Sequence, residues 1–341
     1  MKIAIHDGNG WNIKWQLYCK AEGIPYKLVN CYNTNIIQQL KDEGITHLMW
    51  HFHHLLFKDI LIARSVLYSA TKIGIKTFPD FNTCWHFDDK ISQKYLLEAI
   101  GAPLVPSYVF YDKKEAMKWL KNEARYPLVA KLRRGAGSYN VCLLNNYKQA
   151  KTYTDKMFGR GLQPVPGYLA DIKNKLKVAS SLNGIIKRIK KAPNYFKIMY
   201  KGRHDFPNEK GYVYFQDFIA GNKEDIRIAV VGNKIWSFKR KVRAGDFRAS
   251  GSGMIDYDTK NLPIQLIKRA FEVSQKLKAQ SIAFDFVKDK SGNYYIVEMS
   301  YGYAGEVVYN CPGYWNESLV YEKGHIWPEI IIIQNFINQN I

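Results

Sequence analysis

The amino-acid sequence predicts an α/β protein whose C-terminal part is α+β. Three observations carry that reading. Over the first 80 residues short apolar strands alternate with helical stretches, the pattern of a parallel sheet with crossover helices. From Tyr212 the pattern turns strand-rich. Between the two lies a unit of helices and strands that carries a Gly-Ala-Gly-Ser turn and a long basic stretch. A chain of 341 residues makes on the order of two domains and buries about three quarters of its unfolded surface without disulfide or metal staples.

Taken in order, Lys2-Ile3-Ala4-Ile5-His6, Tyr26-Lys27-Leu28-Val29, residues 46–52 (THLMWHF) and Ile75-Lys76-Thr77-Phe78 read as strands. Helices at 11–22, 34–43 and 58–72 separate them. A second unit opens at Asn82 with a helix from 88 to 100, the break Gly101-Ala102-Pro103 and a strand at 105–110. A helix at 112–122 leads to the strand 126–131, the glycine-bearing turn and a strand at 140–144. Strands follow at 212–218, 225–231 and 234–241, then a helix at 262–279 and strands at 282–288 and 293–299. No internal repeat or low-complexity tract interrupts the series.

Composition narrows the function. Fifty Lys and Arg against thirty Asp and Glu give a net charge of +20, which favours an anionic partner. Hydrophobic residues at 47% exclude a disordered or collagen-like chain. Cys19, Cys31, Cys84, Cys142 and Cys311 include no CxxC pair, so neither a disulfide framework nor a zinc knuckle is expected. The start MKIAIHDGNG lacks a signal-peptide core, and no stretch has the length of a bilayer span. A cytoplasmic protein is expected, peripheral at the inner membrane face if its basic stretch meets lipid.

Four local features carry chemistry. The strands AFDFVKDK and NYYIVEMS flank Ser291-Gly292, a two-residue hairpin signal. Pairing Lys290 with Asn293 sets Asp285 opposite Glu298, where like charges about 5 Å apart need a counter-charge. Mg²⁺ with oxygen ligands is one reading and neighbouring lysines the other. Lys131, followed by Arg133, Arg134 and Gly135-Ala136-Gly137-Ser138, forms a possible phosphate cradle. It matches neither a P-loop nor a complete Rossmann fingerprint. The run from Gln216 to Gly221, followed by Asp225, offers free backbone groups for a flat base and an acid for a ribose hydroxyl. Finally, Lys239, Arg240, Lys241, Arg243 and Arg248 fall within ten positions. Alternation sets Lys239 on the face opposite Arg240, and a phosphoryl-binding face or a solvated one both remain open.

In that order these features resemble the ATP-grasp superfamily of carboxylate–amine ligases, over nearly the whole chain. The resemblance implies an N-terminal Rossmann-like pre-ATP-grasp domain (1–81), a linker helix and α+β lid (82–211) with a basic insertion at about 151–211, and a strand-rich catalytic domain (212–341). Asn82 with Asp89 and Lys90 is similar to the family's N…DK entry, Lys131 to its strand lysine, and Gly135, Gly137 and Ser138 to its phosphate loop. Gln216, Asp217, Phe218 and Ile219 resemble its adenine hinge and Asp225 its ribose acid. Arg240 and Gly245-Asp246-Phe247-Arg248 resemble the KR…GDFR segment of the ribosomal-protein-glutamylating and glutathione-synthesising branches. Asp285, Glu298 and Ser300 take the metal positions, although the family usually has Glu-x-Asn where this chain has Glu298-Met299-Ser300. The resemblance implies ATP and one or two Mg²⁺ as cofactors. It also implies an acyl phosphate intermediate, held by Lys239, Arg240 and Arg248, on the way to an amide.

The substrate is read from the remainder. Residues 172–204 contain ten Lys or Arg and no Asp or Glu, interleaved with apolar and aromatic residues. Such a basic amphipathic stretch is expected to meet anionic lipid and a lipid-linked glycan bearing a sugar carboxylate, to which an amino acid or amine is joined. Amino-acid ligation onto a peptide or protein tail, and an ATP-binding membrane-associated module without turnover, are the alternatives. No RNA- or DNA-binding module is present in the pattern, so nucleic acid is not expected. His51, His53 and His54 sit at the end of a strand, where ligands bind in open α/β sheets. Acceptor contacts and polar filler are both consistent with that place. The aromatic tail, Tyr301 to Trp315, suits either sugar stacking or core packing.

Overall fold

The computed structural model describes residues 1–8, 10–135, 140–164, 206–243, 245–259 and 262–338. Gly137, Ser138 and the basic run 172–204 lie outside these residues. The first unit comprises β1 (Ile3–His6), α1 (Trp11–Ala21), β2 (Tyr26–Val29), α2 (Ile36–Asp42), β3 (His47–Met49), α3 (Phe57–Lys72) and β4 (Lys76–Phe78). Its sheet is parallel throughout, in the order β2-β1-β3-β4. β3 is shorter than the strand read at 46–52. The backbone of His51 turns to the Asn12 side chain and that of His53 to Asp59, so this stretch leaves the sheet as a loop.

The short helix α4 (Phe81–Cys84) and the linker helix α5 (Lys90–Ala99) follow. Both begin on an aspartate: Asp80 accepts from the Thr83 N–H and Asp89 from the Ser92 N–H, which satisfies otherwise orphaned donors. A lid then forms from β5 (Ser107–Phe110), α6 (Lys113–Asn122), β6 (Leu128–Lys131), β7 (Val141–Leu144), α7 (Tyr147–Met157) and β8 (Val213–Asp217). Its antiparallel sheet runs β5-β8-β6-β7, with α6 and α7 covering one face through Ala116, Leu120, Ala150 and Met157.

The third unit is built on β9 (Glu224–Val231), β10 (Lys234–Lys241), β11 (Ile255–Asp256), α8 (Ile264–Leu277), β12 (Ser281–Lys288) and β13 (Tyr294–Ser300). It ends with α9 (Gly305–Tyr309), β14 (Gly313–Trp315), β15 (Tyr321–Lys323) and α10 (Pro328–Asn338), four elements the sequence pattern did not separate. The strands order as β13-β12-β9-β10-β14-β15, with β11 beside β10. One face packs on α8: Ile226, Ile228, Val230, Ile282 and Phe284 meet Leu266, Ile267 and Val273. The other face supplies Ala229, Val231, Trp236, Phe238 and Ala283 to a core shared with the first unit. α10 closes that core by packing on α1, where the Trp15 indole donates to the Glu329 carbonyl. Most of the C-terminal aromatics serve packing: Tyr301 and Trp315 are buried in cores, and Tyr309 stacks on Trp327.

Candidate active site

The face of β9 that supplies Val231 and Ala229 to the core carries Arg227 and Asp225 two and four residues earlier. Period-two alternation therefore makes one strand face apolar at one end and charged at the other. Across β10 and β12 the same face presents Arg240 and Asp285. Their groups interlock. Arg227 grips Asp285 with two bonds, Nε–Oδ1 at 2.6 Å and Nη2–Oδ2 at 2.8 Å. Arg240 grips Asp225 at 2.7 and 2.5 Å and reaches Asp285 Oδ2 at 2.8 Å. Burial would push the Asp285 carboxyl up, but the two guanidiniums outweigh it and hold the group well below the usual carboxylate range.

Glu298 lies directly opposite Asp285, as the hairpin reading expected, but by a different route. The turn has three residues between Asp289 and Asn293, whose backbones are joined, and a bulge at Asp285/Phe286 restores the register. The extra residue is Val297, and its carbonyl accepts from the Lys131 ammonium at 3.1 Å. Lys90 reaches Glu298 Oε1 at 3.2 Å and the Gly135 carbonyl at 2.6 Å. Burial pushes Lys131 down to about 8. Lys90 is equally enclosed, yet Glu298 and Asp88 together overcome burial and hold it above its ordinary value.

Two cavities meet at these carboxylates. One, of about 140 Å³, lies between lid and core sheets and is lined by Lys131, Gln216, Asp217, Phe218, Ile219 and Arg248 among others. The Gln216 side chain is buried against Ser107, so in this stretch backbone and neighbouring residues are what face the space. Arg248 is held by Asp246 at 2.8 and 2.9 Å on this side. The second cavity, of about 450 Å³, is lined by Arg227, Arg240, Gln93, Asp88, Ser300 and Tyr303, together with His51, His53 and His54. Asp285, Glu298 and Ser250 border both.

Two expected roles are corrected. Lys239 is not in the site: its ammonium sits 3.5 Å from Glu224, and the side chain lies on the α8 face beside Leu262. Strand alternation put it opposite Arg240, and the site occupies Arg240's face. Asp225 borders the smaller cavity, but both its oxygens are committed to Arg240, so it braces that arginine instead of waiting for a ribose hydroxyl. The counter-charges of Asp285 are likewise arginines rather than lysines. Ser300 sits two residues beyond Glu298 and donates to the Gly302 carbonyl at 2.7 Å.

Sequence reasoning passed over Arg227, Asp88 and Gln93. Arg227 was legible, since it stands two residues from Asp225 on one strand face. Asp88 was not, because its place depends on a backbone φ of 54°. The three histidines form one wall of the larger cavity. His51 stacks on Trp11 at 4.2 Å and His53 on His54 at 4.5 Å. The Leu55 N–H donates to His53 Nδ1, so the neutral His53 ring carries its proton on Nε2. Burial holds all three imidazoles below their usual value, that of His54 at about 3.

The three expected metal positions, Asp285, Glu298 and Ser300, offer oxygen donors only. That fits the hard Mg²⁺ ion that the sequence resemblance implies. Among the described residues no cluster of three or more His, Cys, Asp or Glu side chains is arranged around a metal position. Two carboxylates suffice for an ion that takes its remaining oxygens from phosphates and water.

Comparison with known proteins agrees with this architecture. Residues 198–307 match the RimK-like ATP-grasp domain. The biotin carboxylase domain of Hydrogenobacter thermophilus 2-oxoglutarate carboxylase, solved with MgADP, superposes with a TM-score of 0.59 at 13% identity over 99% of this chain and 70% of its own. A RimK-domain ATP-grasp protein from Sphaerobacter thermophilus gives 0.52 at 13% over 99% of both chains. N5-carboxyaminoimidazole synthase from Aspergillus clavatus, with ADP and 5-aminoimidazole ribonucleotide, gives 0.59 at 9% over 100% of this chain and 77% of its own. The comparison with curated proteins found no match. At these identities the structural likeness speaks for the fold. With three units in that arrangement the chain has the ATP-grasp fold, and the match to the RimK-like ATP-grasp domain spans the hinge, the arginine strand and the carboxylate hairpin.

Proposed function

We propose that the protein is an ATP-dependent ligase that joins a carboxylate to an amine and releases ADP and phosphate. One observation carries the reading: a lid-covered cavity and a larger cavity share the same carboxylate pair. In this reading the nucleotide occupies the first, with its base along 216–219 and its phosphates at Lys90, Lys131 and Gly135. The substrate acid occupies the second, against Arg227 and Arg240. A carboxylate oxygen attacks the γ-phosphorus, ADP leaves, and the amine nitrogen then attacks the acyl carbon, expelling phosphate and losing a proton. Mg²⁺ held by Asp285 and Glu298 would neutralise charge on the phosphate oxygens. Positioning and charge neutralisation supply the acceleration, with no protein nucleophile.

Within this class we place the acid on a sugar and the amine on an amino acid or small amine, in surface polysaccharide synthesis. The support is the histidine wall with Tyr303, Gln93 and Phe87, a surface of rings and hydrogen-bonding groups suited to a hydroxyl-rich ligand. A peptide or protein tail is the other acceptor for the same chemistry. A nucleotide-binding module without turnover has its own supporting observation, the commitment of both Asp285 oxygens to arginine.

ADP release with Mg-ATP, measured for amino acids with and without sugar acids, tests the reading. We expect release that requires one acid and one amine and falls at least 100-fold in Asp285→Asn and Glu298→Gln. Product mass separates glycan from protein modification. Mg-ATP binding without release across all acceptors, lipid-linked and polymeric ones included, would establish the silent module instead.

A further inference from the structure

Gly135 is held on both of its backbone polar groups by one three-residue segment. Its N–H donates to Asp88 Oδ1 at 2.8 Å, and its carbonyl accepts from Lys90 Nζ at 2.6 Å. Two residues earlier the Arg133 carbonyl accepts from the Lys90 N–H at 3.0 Å. The Arg133 and Arg134 N–H groups are taken by Glu209, which also accepts from the Tyr212 hydroxyl. The end of β6 is therefore tied down on both sides before the chain enters the glycine run. Gly135 itself has a φ of 114°, a conformation that L side chains rarely adopt.

Asp88 has a φ of 54°, in the left-handed region, where a residue with a side chain is uncommon. That backbone state comes with its carboxylate on Gly135 and at the wall of the larger cavity. Asp89, its neighbour, caps α5, so the two aspartates have separate tasks. Lys90 then stands between two oxygens, the Gly135 carbonyl of the lid and Glu298 of the core. The placement of Gly135 decides how that ammonium is shared.

We propose that Asp88 is a positioning residue for the triphosphate: by holding the Gly135 N–H it sets where that residue, and with it the carbonyl that takes Lys90, is placed, which keeps Lys90 off full pairing with Glu298 and aimed at phosphate. The proposal rests on the reading that the protein binds ATP. Without the Asp88 acceptor the Gly135 N–H loses the bond that fixes this residue at the mouth of the site. The Gly135 carbonyl leaves Lys90, and the ammonium collapses onto Glu298, the carboxylate assigned to the metal. Binding of base and ribose, which uses residues 216–219, is untouched.

Calorimetry with ATP and with AMP, each with MgCl₂, separates these effects on the full chain. For Asp88→Ala we expect ATP affinity to fall about tenfold with AMP affinity unchanged. Asp88→Asn keeps an oxygen acceptor for the Gly135 N–H and should restore ATP affinity to within about twofold of wild type. Equal ATP affinity in wild type and Asp88→Ala, or an equal loss for AMP, overturns the role of Asp88. So does an asparagine variant as weak as the alanine one. Wild-type protein that binds neither nucleotide overturns the ATP reading itself.

Discussion

Burial pushes both Lys90 and Lys131 down and both have Glu298 as an anionic neighbour, yet their net shifts are opposite, and the difference lies in their partners. Lys90 has a carboxylate at 3.2 Å and Asp88 nearby; the hydrogen-bond partner of Lys131 is the Val297 carbonyl. A lysine that loses its proton near 8 rather than 10.5 costs the folded chain on the order of 3 kcal/mol at neutral pH. The cost is full below about pH 8, where both states are protonated. It fades as pH rises toward 10.5, where the unfolded lysine also loses its proton. Lys131→Met should therefore stabilise the nucleotide-free protein at pH 7 by about 1–2 kcal/mol, after roughly 1 kcal/mol for the lost hydrogen bond. Urea unfolding at pH 7 and pH 10 checks this, with the gain shrinking at the higher pH. Mg-ATP affinity should fall at least tenfold in the same variant, so that the site binds at the expense of apo stability. A variant no more stable than wild type at pH 7 contradicts the account.

At the scale of elements, the site depends on two one-residue irregularities that cancel. The sequence signal at Ser291-Gly292 pointed to a two-residue turn, with Asp285 opposite Glu298. The structure has a three-residue turn ending on Gly292, at a φ of 91°, and a bulge that returns the strands to the same pairing. The bulge leaves the Val297 carbonyl outside the regular ladder, where Lys131 takes it. Removing Val297 should keep Glu298 opposite Asp285 while withdrawing that carbonyl. Val297→Ala keeps the backbone. We expect the deletion to stay folded by circular dichroism and to lose at least tenfold in Mg-ATP affinity, while the alanine variant stays within about fivefold. Equal affinities would sever the bulge from binding. Strand alternation was legible because apolar and polar residues take turns, and it placed Lys239 and Arg240 on opposite faces correctly. It carries no label for which face meets the ligand, hence the misassigned Lys239. The bulge left no mark in Val297-Glu298, and residues 50–52 read as strand because Trp50 and Phe52 carry on the apolar character of β3. α10 was missed for the converse reason: Ile330 to Ile333 is a continuous apolar run without helical or strand period.

For the whole molecule, charge is the property that the folded core does not absorb. Residues 151–211 hold fourteen Lys or Arg against four Asp or Glu, a surplus of ten and half of the net +20. Within the site, by contrast, the charges are matched: Arg227 and Arg240 against Asp285 and Asp225, Lys90 against Glu298. The candidate site is thus close to neutral in itself, and the excess lies in a segment beside the lid in sequence. Among the described residues no helix is long and apolar enough to cross a membrane. The substrate proposal gives the surplus a purpose, bringing the larger cavity to acceptors carried at an anionic lipid surface. Each basic residue near such a surface contributes about 1 kcal/mol, and the attraction decays over a Debye length of about 8 Å at physiological salt. Cosedimentation with vesicles containing about 30% phosphatidylserine should therefore retain the protein at low salt and release it between about 0.1 and 0.5 M NaCl. Replacing Lys187, Arg188, Lys190 and Lys191 with glutamine should cut retention at least tenfold and leave Mg-ATP affinity unchanged, since the nucleotide is assigned to Lys90, Lys131, Gly135 and residues 216–219. Retention that ignores lipid charge, or survives the fourfold replacement, would detach the basic segment from the membrane and leave a soluble acid as the substrate to seek.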